Sequence, residues 1–180
     1  MSKSGGNDVK PSEVLQKYNR DFLRHYLIKN SDGHDIAFNW SDFDDISRFF
    51  NVFINSYNFM SLYLGKYAGK KLDLKELQTE DLWLLSRMNT LVAECEKNYE
   101  QLTFYKVPLL IEQFVMEDLS RTYIKLIRDR VGSSTEPAVA ATLNETMLSL
   151  LKLLSPVMPH AAEYFYQDLR DSKMPESIHL

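Results

Sequence analysis

Cysteine is nearly absent from this sequence of 180 residues, in which Cys95 is the only one. A single thiol excludes an internal disulfide framework and is typical of a reducing compartment. Glycine and proline are also scarce, with six of each, and most of them fall between long periodic segments. This distribution predicts that long helices make up most of the fold.

Long apolar runs are missing as well. No stretch approaches the roughly 18 apolar residues that a membrane-spanning helix needs, and the lysines near the amino terminus are not followed by the apolar segment of a secretory signal. We therefore predict a cytoplasmic protein without a membrane partner. The chain is 44% hydrophobic with a net charge of −4, which favours a folded domain over a disordered one and argues against a broadly basic nucleic-acid binder.

Apolar residues recur at spacings of three and four along most of the chain, as on the buried stripe of a helix. We predict a fold that is all-α, an antiparallel helical bundle preceded by an amino-terminal helix and a linker. Ser12 and Thr79 are predicted N-caps, and the tail from Asp171 is predicted to be weakly structured. The predicted helices cover residues 12–28, 42–65, 79–102, 104–131, 137–154 and 160–169, with a linker over 29–41.

The sequence shows no motif for catalysis or metal binding, and its clustered carboxylates, at 42–45 and 94–100, lie mostly on the polar faces of predicted helices. Cys95 lies on an apolar helical stripe, and the four histidines have no ligand spacing, so we predict a core thiol and no metal site. The sequence contains no Gly-x-Ser-x-Gly elbow and no phosphate-binding loop. Taken alone, this chain is predicted to be catalytically inactive.

The densest positive stretch lies between residues 120 and 131, which contain four Lys or Arg residues and one acid. Arg121, Lys125 and Arg128 are spaced i, i+4 and i+7, which aligns them on one helix face at intervals that suit successive backbone phosphates. A stripe of surface ion pairs with Glu117 and Asp118 is the alternative interpretation. The sequence also offers Tyr123 and Trp40 as aromatic residues that could stack on unpaired bases, although both types are more often found in a core.

Several motifs resemble those of class I aminoacyl-tRNA synthetases. The opening Met1-Ser2-Lys3-Ser4, followed by Gly5-Gly6-Asn7, is similar to the Lys-Met-Ser-Lys-Ser signature loop without its leading lysine. Further matches lie at Phe38-Asn39-Trp40, at Asp81-Leu82-Trp83-Leu84-Leu85-Ser86-Arg87 and at Leu154-x-Pro156-x-x-Pro159. The stretch from Phe114 to Arg130 resembles the isoleucine–tRNA ligases more than their valine or leucine relatives, although Thr122 stands where that family usually has tryptophan.

The resemblance implies that residues 1–30 end a catalytic core, that 31–41 form a linker and that 42–180 form an anticodon-binding bundle. It implies ATP and magnesium as cofactors of a longer parent enzyme, with Met1, Ser2, Lys3 and Ser4 as the ATP-binding remnant. Lys3 matches the lysine that neutralises the triphosphate. The catalytic and editing domains of that parent have no counterpart here, so the fragment itself is expected to hold no cofactor.

The resemblance also implies a partner, the anticodon stem-loop of tRNA(Ile). Arg121, Lys125, Arg128 and Arg130 are the residues that we assign to it as a hypothesis. The alternative function is a structural helical module that docks a protein through its basic stripe and does not bind RNA. Salt-dependent selectivity for one tRNA would distinguish the two functions.

Overall fold

A computed structural model describes residues 9–67, 73 and 75–180 of the chain. Over these residues the protein is all-α, as predicted, and strands are absent from the described part. The main helices are α1 (Pro11–Lys17), α2 (Arg20–Lys29), α3 (Ser41–Leu64), α4 (Thr79–Glu100), α5 (Lys106–Gln113), α6 (Ile124–Leu126), α7 (Glu136–Leu154) and α8 (Pro159–Leu169). None of the helices in the described residues is long and apolar enough to cross a membrane.

The helix predicted over residues 104–131 is a composite of three helical types. It begins as the α-helix α5 and continues as a π-helix over Phe114–Tyr123 and then as α6. A 3₁₀ turn over Arg128–Arg130 follows. We call the continuous segment from Lys106 to Leu126 the composite helix. Its first turn tolerates Pro108, the third helical residue, because the first backbone amides of a helix have no partner within it.

Four long segments build the bundle: α3, α4, the composite helix and α7. The α4 helix packs against both α7 and the composite helix, and α3 packs against the π-helix and α7. Their facing sides form one apolar core in which Phe53, Leu84, Leu119 and Met147 are all nearly inaccessible to solvent. Burial of this apolar surface is the main contribution to folding.

The amino-terminal helices attach to the bundle through a second, smaller core of Val14, Tyr26, Phe43 and Ile46. The predicted single helix over 12–28 is wrong in one respect, because it breaks after Lys17 and restarts at Arg20. Asn19 causes the restart: its side-chain oxygen accepts a hydrogen bond from the backbone N–H of Phe22 at 2.9 Å, which caps the new helix.

Two other predicted local features are also wrong. Ser12 and Thr79 do not act as N-caps, because the helices begin at Pro11 and at Thr79 itself, with Lys10 and Gln78 in the capping positions. The carboxy-terminal tail is tied to α8, where Glu163 accepts hydrogen bonds from Ser177 Oγ at 2.9 Å and from the Ile178 N–H at 3.0 Å. Helix boundaries and long-range contacts of this kind leave little trace in sequence periodicity.

The turn after α4 holds Leu102 in the left-handed region, with φ of 58°. The Thr103 N–H donates to the Asn98 carbonyl at 2.9 Å and the Leu102 N–H to the Tyr99 carbonyl at 3.1 Å, a helix end that usually uses glycine. Because a side chain is strained there, we expect Leu102→Gly to raise the free energy of unfolding by about 0.5–1 kcal/mol. Urea denaturation measures this, and Leu102→Ala is the control that keeps the strain; a Gly variant less stable than the Ala variant would contradict the prediction.

Candidate nucleic-acid interface

Arg121, Lys125 and Arg128 are all exposed, and they lie in three helical types, the π-helix, α6 and the 3₁₀ turn, rather than in the regular α-helix that the spacing assumed. Arg121 is ion-paired with Glu117 one turn earlier, with side-chain exposures of 63% and 52%. Lys125 and Arg128 form no ion pair with any described residue. The ion-pair interpretation therefore holds for Arg121 and Glu117 but not for Asp118, which pairs with a cation of α4. We call Arg121, Lys125 and Arg128 the cation row.

Carboxylates elsewhere on the composite helix are already neutralised by cations from other helices. Asp118 accepts hydrogen bonds from Arg87 of α4 at 3.0–3.1 Å. Glu112 is held by Lys29 and His25 of α2, at 2.8 and 2.7 Å respectively. Asp118 and Glu112 are thus paired with cations of other helices, and the exposed carboxylates next to the cation row are those of Glu117 and Asp129.

Arg130, predicted to contact RNA, is buried instead. Its guanidinium donates two parallel hydrogen bonds to Asp81, from Nη1 to Oδ1 at 2.9 Å and from Nη2 to Oδ2 at 2.8 Å, and a further bond to Glu80 at 2.7 Å. The side chain of Asp81 has no exposed surface. Arg130 therefore joins the 3₁₀ turn after the composite helix to the start of α4 and is not available to a phosphate. Its closeness to other cations in the sequence did not indicate this partner.

The two aromatic residues considered for base stacking are also structural. Tyr123 is fully buried and donates its hydroxyl to Asp81 Oδ1 at 2.6 Å. Burial, followed by the hydrogen bond to the Asp81 carboxylate, raises the pKa of Tyr123 far above its ordinary value. Trp40 packs edge-on against Phe38 at 5.0 Å, and Lys17 Nζ lies 4.2 Å from its ring centroid. Tyr123 is therefore unavailable to a base, and the partly exposed Trp40 is occupied by packing with Phe38 and Lys17.

The cation row and α2 lie toward opposite ends of the bundle. The Arg130–Asp81 pair places the end of the row beside the start of α4, a helix of 22 residues that is about 33 Å long. By contrast, α2 contacts Glu112 early in the composite helix and the carbonyl of Pro156 beyond α7, which accepts from Arg24 at 2.9 Å. Counting residues along the composite helix, the row lies roughly 15–25 Å from Glu112.

The polar contacts of α2 hold this helix against α8 and the composite helix, and they were not predicted from the sequence. Asp21 is buried and accepts hydrogen bonds from the Ala161 N–H at 2.6 Å and from His160 Nδ1 at 2.8 Å, at the start of α8. Asp21, His25 and Lys29 recur every four residues, so they form a polar row on the inner side of α2. This four-residue spacing of charged and polar side chains in the sequence would have predicted that α2 packs against its neighbours through ion pairs.

Glu112 gives this interface a pH dependence. Burial acts to raise its pKa, but hydrogen bonds from His25 and Lys29 outweigh burial and leave the pKa below the ordinary value of 4.5. A lowered carboxyl pKa stabilises the fold fully above the unfolded value, and the contribution disappears as pH falls through the folded value. We expect Glu112→Gln to cost about 1–3 kcal/mol at pH 7, and the difference from the unsubstituted protein to shrink below pH 4.5.

Urea denaturation of both proteins at a series of pH values measures this difference. Glu117→Gln is the matched control, because Glu117 is half exposed and its pair with Arg121 contributes little to stability. A difference between Glu112→Gln and the unsubstituted protein that stays constant from pH 7 to below pH 4 would contradict the assignment.

The predicted ATP-binding remnant, Met1, Ser2, Lys3 and Ser4, lies outside the described residues. Within the described part, His, Cys, Asp and Glu side chains form no group of three that could hold a metal ion. Cys95 is buried, and burial raises the pKa of its thiol to about 11, so it is poorly suited to act as a nucleophile or ligand.

Comparison with known proteins identifies the fold. The family model described as the anticodon-binding domain of tRNA ligase matches residues 81–180, and a model of class I tRNA synthetases (M) matches residues 1–58. The chain belongs to the family of anticodon-binding domains of tRNA ligases, with a class I synthetase segment before it.

Its relatives in that family are isoleucine–tRNA ligases, as the sequence motifs indicated. Those of Methanopyrus kandleri and Methanocaldococcus jannaschii are 41% and 40% identical over 100% and 99% of this chain, and that of Methanothrix thermoacetophila is 38% identical over 100%. The chain spans about a fifth of the length of these relatives, 18% in each case.

Proposed function

We propose that this chain is the tRNA-binding part of an isoleucine–tRNA ligase and that its cation row contacts the anticodon stem-loop of tRNA(Ile). The observation that carries the proposal is the exposed row of Arg121, Lys125 and Arg128 on a bundle that belongs to the anticodon-binding family. In sequence the three cations are spaced i, i+4 and i+7, close to one helical turn apart, which suits successive phosphates along one nucleic-acid strand. Arg130 is omitted from this site because its charge is buried against Asp81.

The polarity of the bundle supports the same assignment. Helix α2, in the segment that matches class I synthetases, packs at one end, and the cation row lies toward the other. An RNA stem-loop is therefore able to reach the row without displacing α1 or α2. We infer that residues 1–30 end the catalytic core, that 31–41 link it to the bundle and that 42–180 are the anticodon-binding unit.

The parent enzyme in this proposal attaches isoleucine to tRNA(Ile) with ATP and magnesium in the cytoplasm. Lys3, in the signature-loop remnant, would neutralise the triphosphate as the adenylate forms. The catalytic and editing domains would be supplied by the remaining polypeptide. The alternative, a protein-docking module without RNA binding, finds no support in the relatives.

The test is a fluorescence-anisotropy titration of a labelled tRNA(Ile) anticodon stem-loop with this chain, at two salt concentrations and with an unlabelled tRNA(Val) stem-loop as competitor. Three neutralised phosphates predict a slope of about −2 to −3 in a plot of log affinity against log salt. Weaker competition by the valine stem-loop is expected if the contacts extend to bases. Binding that does not respond to salt would contradict the proposal.

A further inference from the structure

The composite helix turns more slowly than an α-helix, and the burial of its side chains depends on this. From its first turn to the residue that follows it, every fourth side chain lies in the core with at most 1% of its surface exposed: Val107, Ile111, Val115, Leu119, Tyr123 and Ile127. Four residues turn an α-helix by about 400°, so this series would rotate its last side chain by about 200° from its first. The π-helix over Phe114–Tyr123 has more residues per turn, which keeps the whole series on the core side.

The outer side of the same segment follows this winding. Arg121 and Lys125 are exposed four residues apart, the interval at which the buried series is aligned. Beyond them the chain tightens, because the Arg130 N–H donates to the Ile127 carbonyl only three residues earlier, at 2.9 Å. A 3₁₀ turn aligns side chains three residues apart, and this is the spacing of the exposed Lys125 and Arg128. A wide turn followed by a tight one thus keeps the cation row in line.

A side-chain hydrogen bond follows the register of the wide turn. The Thr122 hydroxyl donates to the Glu117 carbonyl at 2.8 Å, five residues earlier, and the Ile124 N–H likewise donates to the Leu119 carbonyl. In the regular helices α3, α4 and α7 the corresponding partner lies four residues earlier, as for the hydroxyls of Ser47, Ser56, Thr90 and Thr142. Four residues is the usual interval for serine and threonine in an α-helix. Thr122 therefore bonds the carbonyl that the wide turn brings within its reach.

We propose that Thr122 is a positioning residue for RNA binding, which holds the wide turn after Glu117 and so keeps Arg121 in line with Lys125. The inference rests on the proposed function, because Thr122 acts through the cation row. If the turn relaxes to the α-helical register, the Glu117 carbonyl accepts from the Arg121 N–H instead, and Lys125 turns about 40° past Arg121. Two cations that diverge in this way no longer face successive phosphates of one strand.

The test compares Thr122→Val with Thr122→Ser in the full chain of 180 residues. Valine keeps the branched shape and removes the donor, whereas serine keeps the donor. Amide hydrogen exchange, measured by NMR on the free chain, reports the winding. We expect valine to speed the exchange of amides 117–124 about three- to tenfold, because one hydrogen bond of that register is lost. Serine is expected to leave exchange within about twofold of the unsubstituted chain, because its hydroxyl restores the bond.

Anisotropy titration of the labelled tRNA(Ile) stem-loop at two salt concentrations reports the effect on RNA binding. Thr122→Val is expected to weaken binding about three- to tenfold at low salt and to make the salt slope shallower by up to about one, as for one lost phosphate contact. A residue that only stabilised the fold would not change the salt slope of the folded chain.

Thr90→Val is the matched control. Thr90 is exposed, and its hydroxyl donates to the Ser86 carbonyl four residues earlier in the regular helix α4. Its replacement removes the same kind of hydrogen bond without touching the wide turn, so we expect no change in the exchange of amides 117–124 or in the salt slope. Circular dichroism verifies that each variant folds.

Three outcomes would overturn the inference: unchanged exchange in Thr122→Val, faster exchange with unchanged affinity and salt slope, or losses in Thr122→Ser as large as those in Thr122→Val. If the unsubstituted chain does not bind the stem-loop, the proposed function fails and the role of Thr122 in RNA binding fails with it. Faster exchange in Thr122→Val would then support only the hydrogen bond that holds the wide turn.

Discussion

Arg130→Met is expected to lower the free energy of unfolding by about 3–5 kcal/mol, because it leaves the carboxylate of Asp81 buried without a counter-charge. Asp81 has no exposed side-chain surface, and Arg130 supplies two of its hydrogen bonds. Tyr123 and the Gln78 N–H, at 2.6 and 2.9 Å, also donate to Asp81 but bring no positive charge. The methionine side chain fills most of the space that the arginine stem occupies, so the loss reports the charge rather than a cavity.

Urea denaturation at constant pH measures the loss, and Arg128→Met is the matched control. Arg128 lies two residues away, is exposed and has no ion-pair partner among the described residues, so its replacement is expected to change stability by less than about 0.5 kcal/mol. In the double variant Asp81→Asn/Arg130→Met the buried charge is removed, and part of the stability is expected to return. If the two methionine variants are equally stable, Arg130 does not hold the bundle.

Arg130 also illustrates what the sequence could not predict about the site. In sequence it belongs to the same positive stretch as Arg128, and helical spacing treats both as surface cations. Its partner, Asp81, lies 49 residues earlier, and the Asp81 motif was recognised for its family resemblance without indicating a contact. The packing of α4 beside the 3₁₀ turn that follows the composite helix decides that Arg130 is buried and Arg128 is exposed.

The helical architecture was more accessible to sequence reasoning than the contacts. The stripe of α3 follows from the three- and four-residue spacing of its apolar residues, all buried except the partly exposed Phe50: Phe43, Ile46, Phe50, Phe53, Tyr57 and Met60. The same reasoning extended one regular helix over residues 104–131 and did not anticipate the π-helix. A π-helix has more residues per turn, and apolar periodicity over ten residues does not distinguish it from an α-helix.

Replacing the whole cation row, by Arg121→Gln/Lys125→Gln/Arg128→Gln, is expected to weaken stem-loop binding on the order of a hundredfold at low salt and to remove most of its salt dependence. With three phosphates neutralised, a fourfold rise in salt weakens binding of the unsubstituted chain roughly twenty- to fortyfold. The triple variant should show little change over the same range. Anisotropy titrations at both salt concentrations measure each quantity.

A second triple variant, Lys10→Gln/Lys97→Gln/Lys152→Gln, is the control for net charge. It also removes three positive charges, but from exposed positions outside the row. We expect it to bind within about threefold of the unsubstituted chain, since screening limits exposed charges beyond a Debye length of about 10 Å. Equal losses in the two triple variants would show that net charge, not the row, attracts the RNA.

The single variants add a finer test of the same site. Arg121 already interacts with Glu117, so its net gain from a phosphate is reduced by the contact it gives up. Lys125 and Arg128 have no such competitor among the described residues. We therefore expect Lys125→Gln and Arg128→Gln each to reduce affinity more than Arg121→Gln, and Glu117→Gln to increase affinity, because it frees Arg121 and removes a charge that repels phosphate. The reverse order would place the phosphates beside Glu117 and contradict the arrangement that we propose.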